Sequence, residues 1–337
     1  MRNGGPLPQS PACSATPRDS CAIEASELDA AWAEPPQPGR FRTTIWEQRT
    51  LPKLARDADV LLCPANMAPP RTPEGTKLIV VIHCLRYHVH PTSYPSAFVR
   101  WYERMIPRII ERADRVLTVS HAELDEIATI YPQSHSKLGV LPPGLDPHFR
   151  PGLDRDPSAP KGAYLIALSN GSPAKNLATV LNALAIDPSL PPLVVAGITP
   201  SEANAMCPHP IRDRVIPLGH INDPARVASL VANASALLSP SRYESFGYPC
   251  LEAMGCATPV IASDLPAHRE LCADAAILIS PDDPQAWADT IRSLCDAPDH
   301  QVRLARAGLA RARSFTWAHS LDALRAELAM LDSKVPV

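Results

Sequence analysis

From residue 163 onward the chain alternates between short apolar runs and stretches of helical spacing. The apolar runs fall near 163–168, 193–196, 214–217, 236–239, 259–262 and 276–279. Helical stretches lie between them, near 173–185, 201–206, 223–233, 249–256 and 266–272, and longer helices follow from 284. A strand that is apolar on both faces needs cover on both sides. A helix between successive strands supplies that cover and lets them pair in parallel. The pattern predicts a parallel sheet with helices on both faces. Such sheets bind ligands outside the carboxyl ends of their strands, so the loops that follow strands are where chemistry is expected.

The first half is less regular. Strands are expected at "DVLLC" (59–63), "KLIVVIHCL" (77–85), "RVLTVS" (115–120) and "KLGVLPPG" (137–144). Residues 97–113 have helical spacing interrupted by Pro107. Ser120 opens "SHAELDEIATIY" with Glu123 three residues on, the pattern of a capping box. Residues 145–162 are rich in Pro, Gly and Asp, and a linker is expected at 151–162. This gives a first α/β domain over 41–150 and a second over 163–337, in keeping with a length of 337 residues. Residues 1–40 carry Pro, Ser and small residues without a period, the composition of an irregular tail.

Composition narrows the function. The formal net charge is -3 with both signs interspersed, which leaves no electrostatic footprint for nucleic acid. The nine cysteines are scattered, without a C-x-x-C pair, and read as reduced thiols of a cytoplasmic protein. No run approaches the roughly 18 apolar residues of a membrane span. His83, His88 and His90 lack the Cys or carboxylate that would complete a familiar metal-ligand spacing, so no metal site is expected. Arg104, Arg108 and Arg112 recur every four residues. They read as a solvated helix face, or alternatively as a peripheral contact with anionic lipid or a polyprenyl diphosphate. Trp101 and Tyr102 read as core.

Three stretches follow strands of the second half. In "ALSNGSPAKN", Ser172 suits a helix cap with Pro173 at the first position. Lys175 would then sit in the first turn, where a cation adds to the helix dipole unless an anion is bound. An ordinary surface lysine is the alternative. "LGHIND" (218–223) is a weaker signal, with backbone groups suited to the edge of a nucleobase. "SRYESFGYPCLEAMGC" (241–256) sets Glu244 and Glu252 eight positions apart around Gly247 and Pro249. Pro249 fits the first position of a helix, leaving the amides of Gly247 to Leu251 free for an anion and Glu252 in the first turn. The alternative is a helix capped by acidic residues.

"PSRYESFGYPCLEAMGCATPVIAS" closely resembles the E-x7-E region of family 4 glycosyltransferases of GT-B fold. "LGHINDPARVASLVANASALLSPSRYESFG", "VVIHCLRYHVHP" and "VSHAELDEIATIYPQSHSKLGVLPPGLDPHF" are similar in order and spacing to bacterial members that build polysaccharides. The resemblance covers about residues 45–330. It implies two Rossmann-like domains facing across a cleft, with the amino-terminal one shortened. It implies retaining, metal-independent transfer of a hexose from a nucleotide-sugar, GDP-mannose-like by resemblance, to a saccharide or polyprenyl-diphosphate-linked acceptor. No cofactor is implied beyond the donor. By the same resemblance Glu252 holds the donor ribose, Glu244 the donor sugar, the Phe246 and Gly247 amides help hold that sugar, and Lys175 neutralises the diphosphate. Ser245 and Leu251 complete the donor-binding set. His83 contacts the transferred sugar from the first domain and, with Glu244, forms the catalytic set.

Three departures from the family pattern stand out. Cys84 follows His83 where the family often has Asp. Ser169, Asn170 and Ser172 occupy the neighbourhood where an arginine often partners the lysine. No strand precedes Gly4 and Gly5, where the family has a strand and a glycine-rich loop. These departures keep a second reading open, a nucleotide-binding scaffold of the same fold without turnover.

Overall fold

The computed structural model describes residues 31, 33 and 40–332. The irregular tail expected over 1–40 therefore falls almost wholly outside the described residues. Among the described residues ten strands form two sheets, and every strand pair in them is parallel.

The first sheet has the order β1-β2-β3-β4, with β1 Val60–Cys63, β2 Lys77–Ile82, β3 Arg115–Thr118 and β4 Leu138–Val140. Strand β2 is buried almost throughout, as its unbroken apolar run requires. The helix Ser96–Arg112 passes through Pro107 without ending there. The missing amide removes one helical bond, while buried Met105, Ile106, Ile109 and Ile110 hold the helix on the sheet. Arg112 turns inward to Asp114 and Thr76, so it does not extend the exposed row of Arg104 and Arg108. Trp101, expected in the core, is 38% exposed, and Tyr102 joins a stacked row with Phe98 and Tyr94.

The second sheet has the order β10-β9-β8-β5-β6-β7. Its strands are β5 Leu165–Leu168, β6 Leu193–Ala196, β7 Val215–Pro217, β8 Ala236–Ser239, β9 Val260–Ser263 and β10 Ile277–Ile279. Counted from β5, this is the 3-2-1-4-5-6 order of a dinucleotide-binding fold, and the strand order reverses between β5 and β8. The loops after β5 and β8 therefore splay apart at the place where such sheets take ligands. Apolar side chains from both faces fill two cores, one around Trp287 and Leu165, the other around Tyr164 and Met254.

The last helix, Trp317–Asp332, packs back on the first sheet. Leu324, Leu328 and Leu331 cover Ile79, Val81 and Leu117. Beside them Glu327 accepts a hydrogen bond from Arg115 Nε at 2.5 Å, and both side chains are nearly buried. No helix among the described residues is long and apolar enough to cross a membrane.

Candidate functional site

The loops after β5 and β8 meet at the reversal point. Asn176 adopts a left-handed conformation, φ 47°, which aims its side chain at neighbouring carbonyls. Its amide nitrogen donates to Pro240 O at 3.0 Å and to Pro281 O at 2.9 Å. The Arg242 amide donates to Ala174 O at 2.8 Å. So fastened, the two loops bring Lys175 Nζ within 2.6 Å of Glu244 Oε1, and Ser241 Oγ donates to the same oxygen at 2.7 Å. Burial alone would push the Glu244 carboxyl up. The Lys175 ammonium and the Ser241 hydroxyl more than offset it, and its value falls below the usual one. An ammonium has three N–H donors, so the pair leaves Lys175 with donors for another anion.

Lys175 is not in the first turn of an α-helix. Pro173–Lys175 is a single 3-10 turn, Ser172 makes no cap bond, and the α-helix Leu177–Ile186 starts beyond Asn176. The left-handed residue separates the two pieces, which a reading of helical spacing alone does not register.

Gly247 is the N-cap of the helix Tyr248–Gly255, with φ 101°. A side chain there would be strained and would meet His268 Cδ2 at 2.9 Å. Pro249 is the second helical residue and Glu252 the fifth, one residue deeper than expected and past the first turn. The amides of Cys250 and Leu251 are spent on Gly247 O at 2.9 and 3.3 Å. The row of free amides expected from Gly247 to Leu251 therefore shrinks, since Pro249 has none. Among the described residues no group accepts from the amides of Phe246 or Gly247. Leu251 and Phe246 are buried side chains of the core. Ser245 offers its carbonyl to Ser120 Oγ of the first domain at 2.6 Å. Burial pushes Glu252 up to about 8, partly opposed by Lys175, which favours the protonated form, able to donate as well as accept.

"LGHIND" is used differently from the expectation. Gly219 donates to Ile198 O at 2.9 Å and accepts from Gly197 N at 2.7 Å, so its backbone groups brace the β6 loop.

In the first domain His83 stands exposed immediately beyond β2. Its amide donates to Asn66 Oδ1 and its Nε2 lies against Pro64 O, each at 2.6 Å. A carbonyl only accepts, so Nε2 carries the proton and Nδ1 of the neutral ring is left as an acceptor. Cys84 is half-buried, and burial pushes its thiol up, leaving it uncharged where a carboxylate would be ionised. The remaining described cysteines are free thiols packed in the cores, and burial carries Cys63 and Cys256 up to about 12. Among the described residues no three His, Cys, Asp or Glu side chains gather as a metal-ligand group.

A family model described as glycosyl transferases group 1 matches residues 154–311, and one described as glycosyltransferase family 4 matches residues 14–149. The chain belongs to the family 4 glycosyltransferases of GT-B fold. Among its relatives is the O-antigen chain mannosyltransferase RfbU of Salmonella typhimurium, 28% identical over 219 residues. That match covers 63% of this chain and 60% of the relative, so the chain spans less than two thirds of its length. The fold is shared with sucrose-phosphate synthase from Thermosynechococcus elongatus, at a TM-score of 0.70 and 19% identity, covering 91% of this chain and 83% of that one. It is also shared with Anabaena HepE in complex with UDP-glucose, at 0.64 and 18%, covering 88% and 84%.

Against this family background the structure adds side chains that sequence reasoning missed. Glu123 is not part of a reciprocal capping box. Ser120 Oγ accepts from the Glu123 amide at 3.0 Å, but the Glu123 carboxylate turns away from the Ser120 backbone and bonds Leu85 N and Tyr243. Glu270 of the second domain accepts from the amides of His121 and Ala122, the first two of the helix His121–Ile130. His268 is fully buried beneath Gly247, with Nδ1 on Ser263 O at 2.8 Å and, among the described residues, no hydrogen-bond partner for Nε2. No spacing in the sequence marks Glu270 or His268, and the Ser-x-x-Glu spacing that marks Glu123 does not show where its carboxylate goes.

Proposed function

We propose that this protein transfers a hexose from a nucleotide-sugar to a saccharide or lipid-linked acceptor in polysaccharide assembly, with retention of configuration. The observation that carries this reading is the Lys175–Glu244 pair at the strand-order reversal. An ammonium and an ionised carboxylate, both largely screened from water, face the same loop junction. A sugar diphosphate has use for each. Lys175 would meet diphosphate oxygens with its remaining donors, and the charge growing on the leaving group would strengthen that bond. Glu244 would accept from hydroxyls of the donor sugar, and the Phe246 and Gly247 amides would donate to them. Glu252, neutral before the donor arrives, would reach the ribose. His83 would offer Nδ1 to a hydroxyl of the transferred sugar from the first domain.

The mannosyltransferase name of one relative and the UDP-glucose bound by one structural neighbour both support a nucleotide-sugar donor, while differing on the sugar. A GDP-mannose-like donor, a polyprenyl-diphosphate-linked acceptor and a peripheral membrane contact are parts of the same proposal. A screen of nucleotide-sugars for thermal stabilisation, followed by transfer assays with the best binder, tests it. Stabilisation by a nucleotide-sugar and formation of a new glycosidic bond are expected. The neutral Cys84 thiol favours a second reading, nucleotide binding without transfer, and stabilisation with no turnover on any acceptor would select it.

A further inference from the structure

The transfer reading needs parts from both domains, yet the donor loop and the His83 turn belong to different sheets. One carboxylate touches both. Glu123 is 2% exposed. Its Oε1 accepts from the Leu85 amide at 2.8 Å, two residues beyond His83. Its Oε2 accepts from the Tyr243 hydroxyl at 2.7 Å, one residue before Glu244. The Leu85 amide also leans toward the Tyr243 oxygen, at 3.2 Å. The three groups close a small ring across the domain junction.

We propose that Glu123 is a positioning residue, tying the Tyr243–Glu244 loop of the second domain to the His83–Leu85 turn of the first in the arrangement that sugar transfer uses. The inference rests on the transferase reading above. Each oxygen of the carboxylate serves one domain, so neither half of the tie is redundant. The same helix terminus is clasped twice more, by Ser120 on Ser245 O and by Glu270 on the first two amides. Those contacts locate the helix. Glu123 bonds both of the loops that carry Glu244 and His83, beside the longer direct bond from Leu85 N to the Tyr243 oxygen.

Burial pushes the carboxyl up to about 7, against the pull of the Tyr243 hydroxyl and the Leu85 amide. The two bonds of the tie lower the value and favour the carboxylate, while burial favours the acid. The neutral acid would keep both bonds, its O–H turned to the Tyr243 oxygen and its other oxygen on Leu85. The charged or titratable groups around it are Tyr243 from the second domain, Cys84 in the turn after β2, and Glu126 on its own helix. Arg86 and Glu244 act on Cys84 from either side, and His90 stands edge-on to the Tyr243 ring.

The test compares the full chain with Glu123→Gln, Glu123→Ala and Tyr243→Phe. Amide exchange at Leu85 should quicken about tenfold or more in the Ala variant, with second-sheet amides unmoved. Turnover should fall about 10- to 100-fold in the Ala variant, at unchanged affinity for UDP or GDP. Gln, which can accept from Leu85 and donate to Tyr243, should recover most of it. Tyr243→Phe removes one hydroxyl without opening a cavity and should fall between. Unchanged Leu85 exchange in the Ala and Phe variants would overturn the tie. So would a Gln variant no better than Ala, or nucleotide affinity falling in step with turnover. If the wild type turns over no nucleotide-sugar, the transferase reading fails, and the exchange measurement still decides whether Glu123 joins the loops.

Discussion

The carboxyl edges of the two sheets are built in different ways. At the second, the parts hold one another. Asn176 ties the β5 loop to the β8 loop, and Lys175, Ser241 and Glu244 close on themselves. At the first, His83 is braced locally by Pro64 and Asn66, while the turn just beyond it leans on Tyr243 of the other domain through Glu123. On the proposed reading the second edge is a site assembled within one domain, and the first becomes one only when the domains are correctly set. Changes in the first domain should therefore damage turnover and spare nucleotide binding, whereas changes at Glu252 in the second should weaken nucleotide binding itself.

The largest expected effect lies where the last helix packs on the first sheet. Glu327→Ala leaves the Arg115 guanidinium buried without its carboxylate and should cost about 3–5 kcal/mol of stability by denaturant unfolding. Nucleotide affinity of the folded fraction should not move. A loss near that of an exposed pair, at most about 1 kcal/mol, would mean that the last helix is not integral to the first domain.

His83→Ala should lower turnover by about 10²-fold, the lower end for one positioned polar group, and calorimetry should find nucleotide binding intact. Parallel loss of both would place His83 in the wrong half of the comparison.

Glu252→Ala should weaken nucleotide binding by about 1–3 kcal/mol, the usual range for a hydrogen bond to a charged or strongly polar group. Equal affinity in wild type and mutant would remove the ribose role. The same residue predicts a pH dependence. Its value is raised on folding, so it contributes stability that is full below the unfolded value and is lost as pH rises toward about 8. Glu252→Gln should flatten the melting temperature between pH 5 and 8, and an unaltered slope would show that the carboxyl is not buried in solution.

The smallest effect should come from EDTA. Lys175 is proposed to stabilise the leaving diphosphate, so turnover should survive the chelator. Activity lost and then restored by Mn²⁺ or Mg²⁺ would move that task to a metal.

The same contrast explains what could be read from the sequence. The second sheet was legible strand by strand, because "LIAL", "LVVA" and "VIAS" are buried on both faces and little else fits them. Gly247 and Pro249 marked the break before the Glu252 helix for the same local reason. What was lost is tertiary. Asn176 moves Lys175 out of its helix through one left-handed residue. Glu123 satisfied a local capping pattern and then used its carboxylate elsewhere. A capping box and a tie between domains look identical in sequence, because both need Ser-x-x-Glu at a helix start and differ only in which way the glutamate turns.

The return of the last helix also has a consequence for synthesis. One face of the first sheet, at Ile79, Val81 and Leu117, is covered by Leu324, Leu328 and Leu331. Those leucines are translated after the whole second domain. At about 5–20 residues per second, the roughly 180 residues between the end of the first domain and Asp332 take roughly 10–40 s to appear. For that interval the first domain waits with an apolar face open, while the second can close on its own strands. The order of completion on the ribosome is thus the reverse of the order of the domains in the gene.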